Sequence, residues 1–413
     1  MAQICWLSLD MRTEYAMYTP ERGVIRAVLL ACRCALWAGL GLAASLVAAG
    51  QARTAPAPPQ TPQPGDPVNL YASNAGVYAP PREDGEIHPQ HALGQVWVMT
   101  GEPGESNVAV QVGDQGVLVV DTGTQAMAPK LLEQIQRLAR ERGGTHKEIR
   151  RVVNTNGRAD HIGGNDIIRK AGSQIIAGEE AGLQNAFVSS GAEVFAHENV
   201  LRRLVDEKTS GKADPVRELL WPTDTEGFDV DNTRFNGEAV QIYHPKDANT
   251  DGQLVLLFRG SDVIAAGDVV DMTSYPIIDV AAGGTIDGEL VALNKVIEMA
   301  VPGKQAEGGT IIIPGHGRLC DQTDVVLYKN MVTVIRNLVQ FYKNQGKTLQ
   351  QVLDLKPTAG YDDRWGSTSG RWTTRDFVTA VYQTLPAKGP VFFSMQNSTL
   401  VPSSAKPAGG KQF

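Results

Sequence analysis

With 413 residues, 42% of them hydrophobic and 20% charged, the chain is long enough for one large globular domain or two ordinary ones. Its 45 acidic and 38 basic residues give a net charge of −7, and no Lys/Arg run interrupts that balance, which argues against a nucleic-acid partner.

The N-terminus has its own character. Arg22, Arg26 and Arg33 precede or interrupt an apolar stretch whose longest part is "CALWAGLGLAASLVAAGQA" (34–52). Small residues at Val47/Ala49 or Gly50/Ala52 offer a cleavage site, so residues 1–52 are expected to be an export signal, with the segment before Met17 an overlong start. The alternative is an N-terminal membrane anchor, for which the apolar core is short and weakly hydrophobic. Export makes the mature protein periplasmic or secreted. A Pro-rich linker, 53–90, follows. Cys5, Cys32 and Cys34 fall in the signal, leaving Cys320 alone and a mature chain without an intramolecular disulfide.

Beyond the linker, Gly-separated β-rich runs at 94–101, 106–113 and 116–123 predict an antiparallel meander. Leu131, Leu132, Ile135 and Leu138 have helical spacing across 128–143, which closes on Gly143. A strand through "IRRVVNTN", a short helix at 164–172 and a strand at 174–178 come next, and 192–208 reads as helical in its second half. A second strand-rich block covers 238–245, 254–260 and 262–270. It leads to a helix at 287–301, a buried strand in "GTIIIPGHG" (309–317) and a long amphipathic helix at 324–346. Strands plus helices, twice over, predict a layered α/β sandwich with two sheets inside and helices outside. The main domain is thus expected over 91–346. Two helices around a polar loop form a C-terminal extension, 347–400, before a disordered tail, 401–413.

Five strand ends carry polar residues beside Gly: Asp121 in "VVDTG", Asp160 and His161 in "RADHIGG", Asn249 and Asp251 in "DANTDG", Asp268 in "AAGDVV" and His316 in "IPGHG". A strand-end Asp before Gly is ordinarily a turn residue. Five in this order resemble the metallo-β-lactamase superfamily from about Gln95 to Gln345. The resemblance implies an αββα sandwich with a metal site at one edge between two sheets. The family's H-x-H-x-D-H motif, its His in an "AHT" loop, its Asp in "GD" and its His in "PGHG" would hold two ions. Here the three-His site is lost, because Asn156, Arg158 and Asn249 stand at its positions. The other set is kept: Asp160, His161 and His316, with Asp268 at the bridging position.

Neutral imidazole is a strong zinc ligand, a carboxamide a poor one and a guanidinium none. The resemblance therefore implies one divalent ion, Zn²⁺, on Asp160, His161, Asp268 and His316. Asp121 hydrogen-bonds around that loop, and Arg158 replaces the lost cation near Asp160 and Asp268. Asp160, Asp268 and Arg158 are the expected catalytic residues. Asn156, Asn249 and Tyr275 are expected to touch substrate, Tyr275 from near the cleft mouth, with a packed loop aromatic as the other reading of that residue. His197 or His244 could substitute as a ligand, while His88, His91 and His146 read as solvated. The expected function is hydrolysis of an ester, amide or lactam-like bond in a small molecule. Its rival is a non-catalytic binding protein that reuses the cleft.

Overall fold

The computed structural model describes residues 81–173, 191–210, 218–303 and 308–391. The signal, most of the linker, the strand expected at 174–178 and the tail lie outside these.

Two sheets are stacked. The first has seven strands in the order β1 to β7: His88–Leu93, Val96–Thr100, Val108–Gly113, Gly116–Val120, Ile149–Val153, Glu193–His197 and Asp224–Glu226. β2 to β4 pair as the expected antiparallel meander, β1 adds an antiparallel strand beside β2, and β4 to β7 run parallel. The second sheet has the order β12-β11-β10-β9-β8, formed by Ile311–His316, Val263–Asp271, Val255–Phe258, Glu238–Tyr243 and Val230–Phe235, with only β11 and β12 parallel. β1 begins at His88, inside the stretch whose composition suggests linker. β7 and β8 are edge strands whose apolar content is too low to stand out. The 192–208 segment divides into β6 and a helix.

The helices, in chain order, are α1 (Ala128–Arg142), α2 (Ala159–Ile162), α3 (Asn165–Lys170), α4 (Glu198–Ser210), α5 (Ile286–Met299), α6 (Gln322–Asn344), α7 (Leu349–Asp354), α8 (Asp362–Trp365) and α9 (Thr374–Thr384). Three cores separate the layers. Leu131, Ile135 and Leu138 of α1 pack on the outer face of the first sheet with Val110, Val119 and Val152. Leu118, Val120 and Phe195 of the first sheet meet Ile242, Leu256 and Ile313 of the second between the sheets. Leu290 and Leu293 of α5 and Val332 and Ile335 of α6 cover the second sheet's outer face. That is an αββα sandwich. The extension joins the last layer: Phe377 and Val381 of α9 and Val352 of α7 belong to the same core. Cys320 is buried and free. Among the described residues no helix is long and apolar enough to cross a membrane.

Parallel strands end together, so β4, β5, β11 and β12 deliver their following residues to one edge of the sandwich. Asp121 follows β4, Asn156 to His161 follow β5, and Asp268 and His316 sit within the last turns of β11 and β12.

Candidate metal centre

Asp121 adopts φ 64°, a left-handed conformation uncommon outside glycine, and two hydrogen bonds hold it there. Its Oδ1 accepts from the Thr155 amide and its Oδ2 from the Thr155 hydroxyl, both at 2.7 Å. Oδ2 also takes Nδ1–H of His161 at 2.8 Å, which turns that ring so that Nε2 meets Asp268 Oδ1 at 3.0 Å. His161 therefore has a carboxylate on each nitrogen. Its complete burial works against a charge, but Asp268 and Asp121 outweigh that and raise its pKa to about 10. Asp268 is driven well below the usual carboxylate range, because the pull of His161 and His316 overcomes an equally buried position.

Two glycines make this approach possible. Gly267, at φ 53°, bends β11 just before Asp268. A Cβ there would meet Gln253 Nε2 at 2.4 Å. In "IPGHG", a Cβ on Gly315 would fall 2.5 Å from Asp268 Oδ1, so this glycine is what lets β12 carry His316 beside the carboxylate. His316 Nδ1 lies 3.1 Å from the Glu105 carbonyl and donates to it. Its Nε2 then faces Asp160 Oδ2 at 3.3 Å and Asp268 Oδ1 at 3.4 Å.

The ligating atoms of Asp160, His161 and His316 all lie within 4.8 Å of one another. With Asp268 Oδ1 against both Nε2 atoms, this donor set of two imidazoles and two carboxylates fits one divalent ion. The other half of the centre does not. Asn156 is fully buried and spends its amide on Asp268 Oδ2 (3.3 Å) and Gln253 Oε1 (3.2 Å). Asn249 is fully buried, and neither of its side-chain polar atoms has a partner among the described residues. Arg158 brings a fixed positive charge to this side, its Nε 3.3 Å from Asp268 Oδ2 and 3.5 Å from Asp160 Oδ1.

Several expected residues have other roles. Tyr275 is not at a cleft mouth: it is 1% exposed, stacks on Phe377 at 4.8 Å and donates its hydroxyl to Asp362 of the extension at 2.9 Å. Asn156 and Asn249 lie behind the cleft surface, so neither can touch a ligand there without rearrangement. His197 and His244 stack on each other at 3.8 Å and stay outside the donor group. His88 binds Asp84, His91 is exposed, and His146 is exposed beside Arg150.

One residue had no sequence signal. Arg371, in the polar loop before α9, contacts Asp160 through Nη1, while Nη2 donates to His316 Nε2 at 3.2 Å. Burial first, and the like charge of Arg158 second, bring its pKa down to about 10. A lone Arg between Gly370 and Trp372 carries no motif, and only the docking of the extension brings it here.

Arg158, Asp160 and Arg371 form the floor of an open cleft of about 710 Å³, walled by Val200, Leu204 and Leu220. Behind them, Glu289 of α5 is fully buried, and burial together with the Asp268 charge pushes its carboxyl well above its usual range.

No curated protein matches this chain. Among solved structures it is similar to a metallo-beta-lactamase from Pontibacter korlensis, at 14% identity and TM-score 0.41, over 60% of this chain and 99% of that one. It is also similar to a stereoselective inverting sec-alkylsulfatase from Pseudomonas sp., at 14% identity and TM-score 0.48, over 72% of this chain and 50% of that one. A metallo-beta-lactamase from Hirschia baltica aligns at 14% identity and TM-score 0.42, over 60% and 98%. The family model of the metallo-beta-lactamase superfamily matches residues 101–316, which is 216 of 413 and takes in every strand end that meets at the centre. On that match, this chain belongs to the metallo-beta-lactamase superfamily.

Proposed function

We propose that the protein is an exported hydrolase of small molecules with an ester, amide or lactam-like bond, working with one zinc ion on Asp160, His161, His316 and Asp268. The observation that carries this reading is the convergence of those donors, with Asp121 fixing the His161 ring from behind. When bound, the ion would supply Lewis-acid activation of water and of a scissile carbonyl. The chain's own residues do the rest. Asp121 holds the tautomer and orientation of His161. Arg158, paired with two carboxylates at ion-pair distance, offers its remaining guanidinium donors to an oxyanion or carboxylate of the substrate at the cleft floor.

Arg371 favours a second reading, a binding protein without catalysis. Its contacts with Asp160 and His316 occupy two of the four donors, and with Arg158 it balances the carboxylates that an ion would otherwise neutralise. Elemental mass spectrometry of the purified chain, followed by a hydrolysis screen over ester, amide and lactam substrates, separates the two. One zinc per chain with chelator-sensitive turnover supports the hydrolase. No zinc at neutral pH in zinc-supplemented buffer favours the binding protein, and two tightly held equivalents would contradict the donor count.

A further inference from the structure

We propose that the cleft above Arg158 and Arg371 binds an organic anion. A carboxylate or other oxyanion head would rest on the two guanidinium groups, and an apolar body would lie along Val200, Leu204 and Leu220. The proposal deepens the functional reading by naming the ligand class, and depends on it only in taking this cleft as the ligand's place.

Arg158 approaches both of its carboxylates through Nε, and its Nη1 and Nη2 make no hydrogen bond with the described residues. Its Nε is buried against the two carboxylates without a hydrogen bond to either, so the Nη groups are the donors it has left to spend. Arg371 lies on the same floor with its side chain 41% exposed. Two guanidinium groups side by side are costly unless their charge is shared. Asp160 and Asp268 share it from the protein side, while the cleft side has no acceptor assigned to Arg158. Planar guanidinium donors match the paired oxygens of a carboxylate or phosphate better than any neutral group does.

The walls say what is attached to that head. Val200 and Leu204 project from α4, and Leu220 closes the same side, giving an apolar flank next to the two guanidinium groups. Of the wall acids, Asp251 is engaged by Arg203, whose Nε donates to its Oδ1 at 2.7 Å and whose Nη2 reaches its Oδ2, Asp279 Oδ1 accepts from the Ala282 amide at 3.0 Å, and Glu207 stands exposed on α4. A volume of about 710 Å³ accommodates an ordinary small molecule.

Binding is tested by titration calorimetry at low ionic strength on the chelator-treated full chain, with sodium octanoate, octan-1-ol and inorganic phosphate as probes. One octanoate per chain is expected, with octan-1-ol at least tenfold weaker. Arg158→Gln and Arg371→Gln should each weaken octanoate at least tenfold, whereas Leu204→Ser should weaken octanoate and leave phosphate unchanged. Should Arg158→Gln fail to fold, Arg158→Lys keeps the charge without the fork and should still bind several-fold more weakly. Equal binding of octanoate and octan-1-ol, no saturable binding, or octanoate affinity undiminished in both Gln variants overturns the proposal. Anion binding that needs added zinc and survives Arg158→Gln places the anion on the ion, which also overturns it while leaving the hydrolase reading intact. Absence of zinc or of turnover, with octanoate bound as expected, removes the hydrolase reading and leaves this one standing.

Discussion

Arg371→Gln is expected to tighten zinc binding. The side chain is 41% exposed and its partner Asp160 only 12%, so their ion pair lies between a surface contact and a buried one. A charge-assisted hydrogen bond contributes about 1.5–3 kcal/mol when shielded, and an exposed pair about 0–1 kcal/mol. Discounted for solvent screening, the contact comes to about 1 kcal/mol, and an ion using Asp160 and His316 has to displace it. Removing that competitor should tighten zinc about fivefold at neutral pH, with little change in folding stability. A chelator-competition titration on wild type and variant, with the metal counted by elemental mass spectrometry, measures this directly. Equal or weaker zinc affinity in Arg371→Gln would show that the guanidinium steadies the donors rather than competing for them, and the reasoning would fail.

His316→Ala should abolish measurable zinc binding in the same titration, since one imidazole and two carboxylates make a poor zinc site; retained one-to-one binding would exclude His316 as a ligand. Phe377→Ala should cost about 3–5 kcal/mol by denaturant unfolding, because a fully buried ring stacked on Tyr275 leaves a cavity between the extension and the domain; a loss under 1 kcal/mol would mean the extension is not part of the core. Glu289 is held neutral by burial and by Asp268, so the unfolded chain ionises first as pH rises, and stability falls from above about pH 4.5 upward. Glu289→Gln removes that loss, so its melting temperature relative to wild type should climb between pH 5 and pH 8; a pH-independent difference would count against a neutral Glu289.

What could be read from the sequence was whatever depended on local chemistry. Asp121, the Asp160–His161 pair, Asp268 and His316 each need a particular residue type at a strand end, and Gly267 and Gly315 sit beside them because no larger residue fits. The buried strands β4, β5, β11 and β12 announced themselves as apolar runs. β8, with "VDNTRF" alternating toward solvent at a sheet edge, carries too little apolar residue to stand out. β1 contains a proline and two histidines, which disguised an edge strand as linker. Tyr275 was open to a packed reading from its loop context, but its partners and the place of Arg371 were unreadable for one shared reason. Both are placed by the extension, whose docking joins residues as far apart as Asp160 and Arg371, and no local pattern encodes a contact of that span. Asn156 and Asn249 were recognised as poor ligands, but their full burial follows from side-chain packing alone.

His161 has a mechanical consequence. Its two nitrogens grip Asp121 on one sheet and Asp268 on the other, so the ring is a cross-tie between the layers of the sandwich. Sliding one sheet past the other by about 1 Å would stretch either bond beyond useful length. The spacing of the layers and the state of that ring are therefore a single coordinate. Anything that takes Asp268 away from His161 slackens the tie, and amide hydrogen exchange should rise together at the ends of β4 and β11, although these strands belong to different sheets.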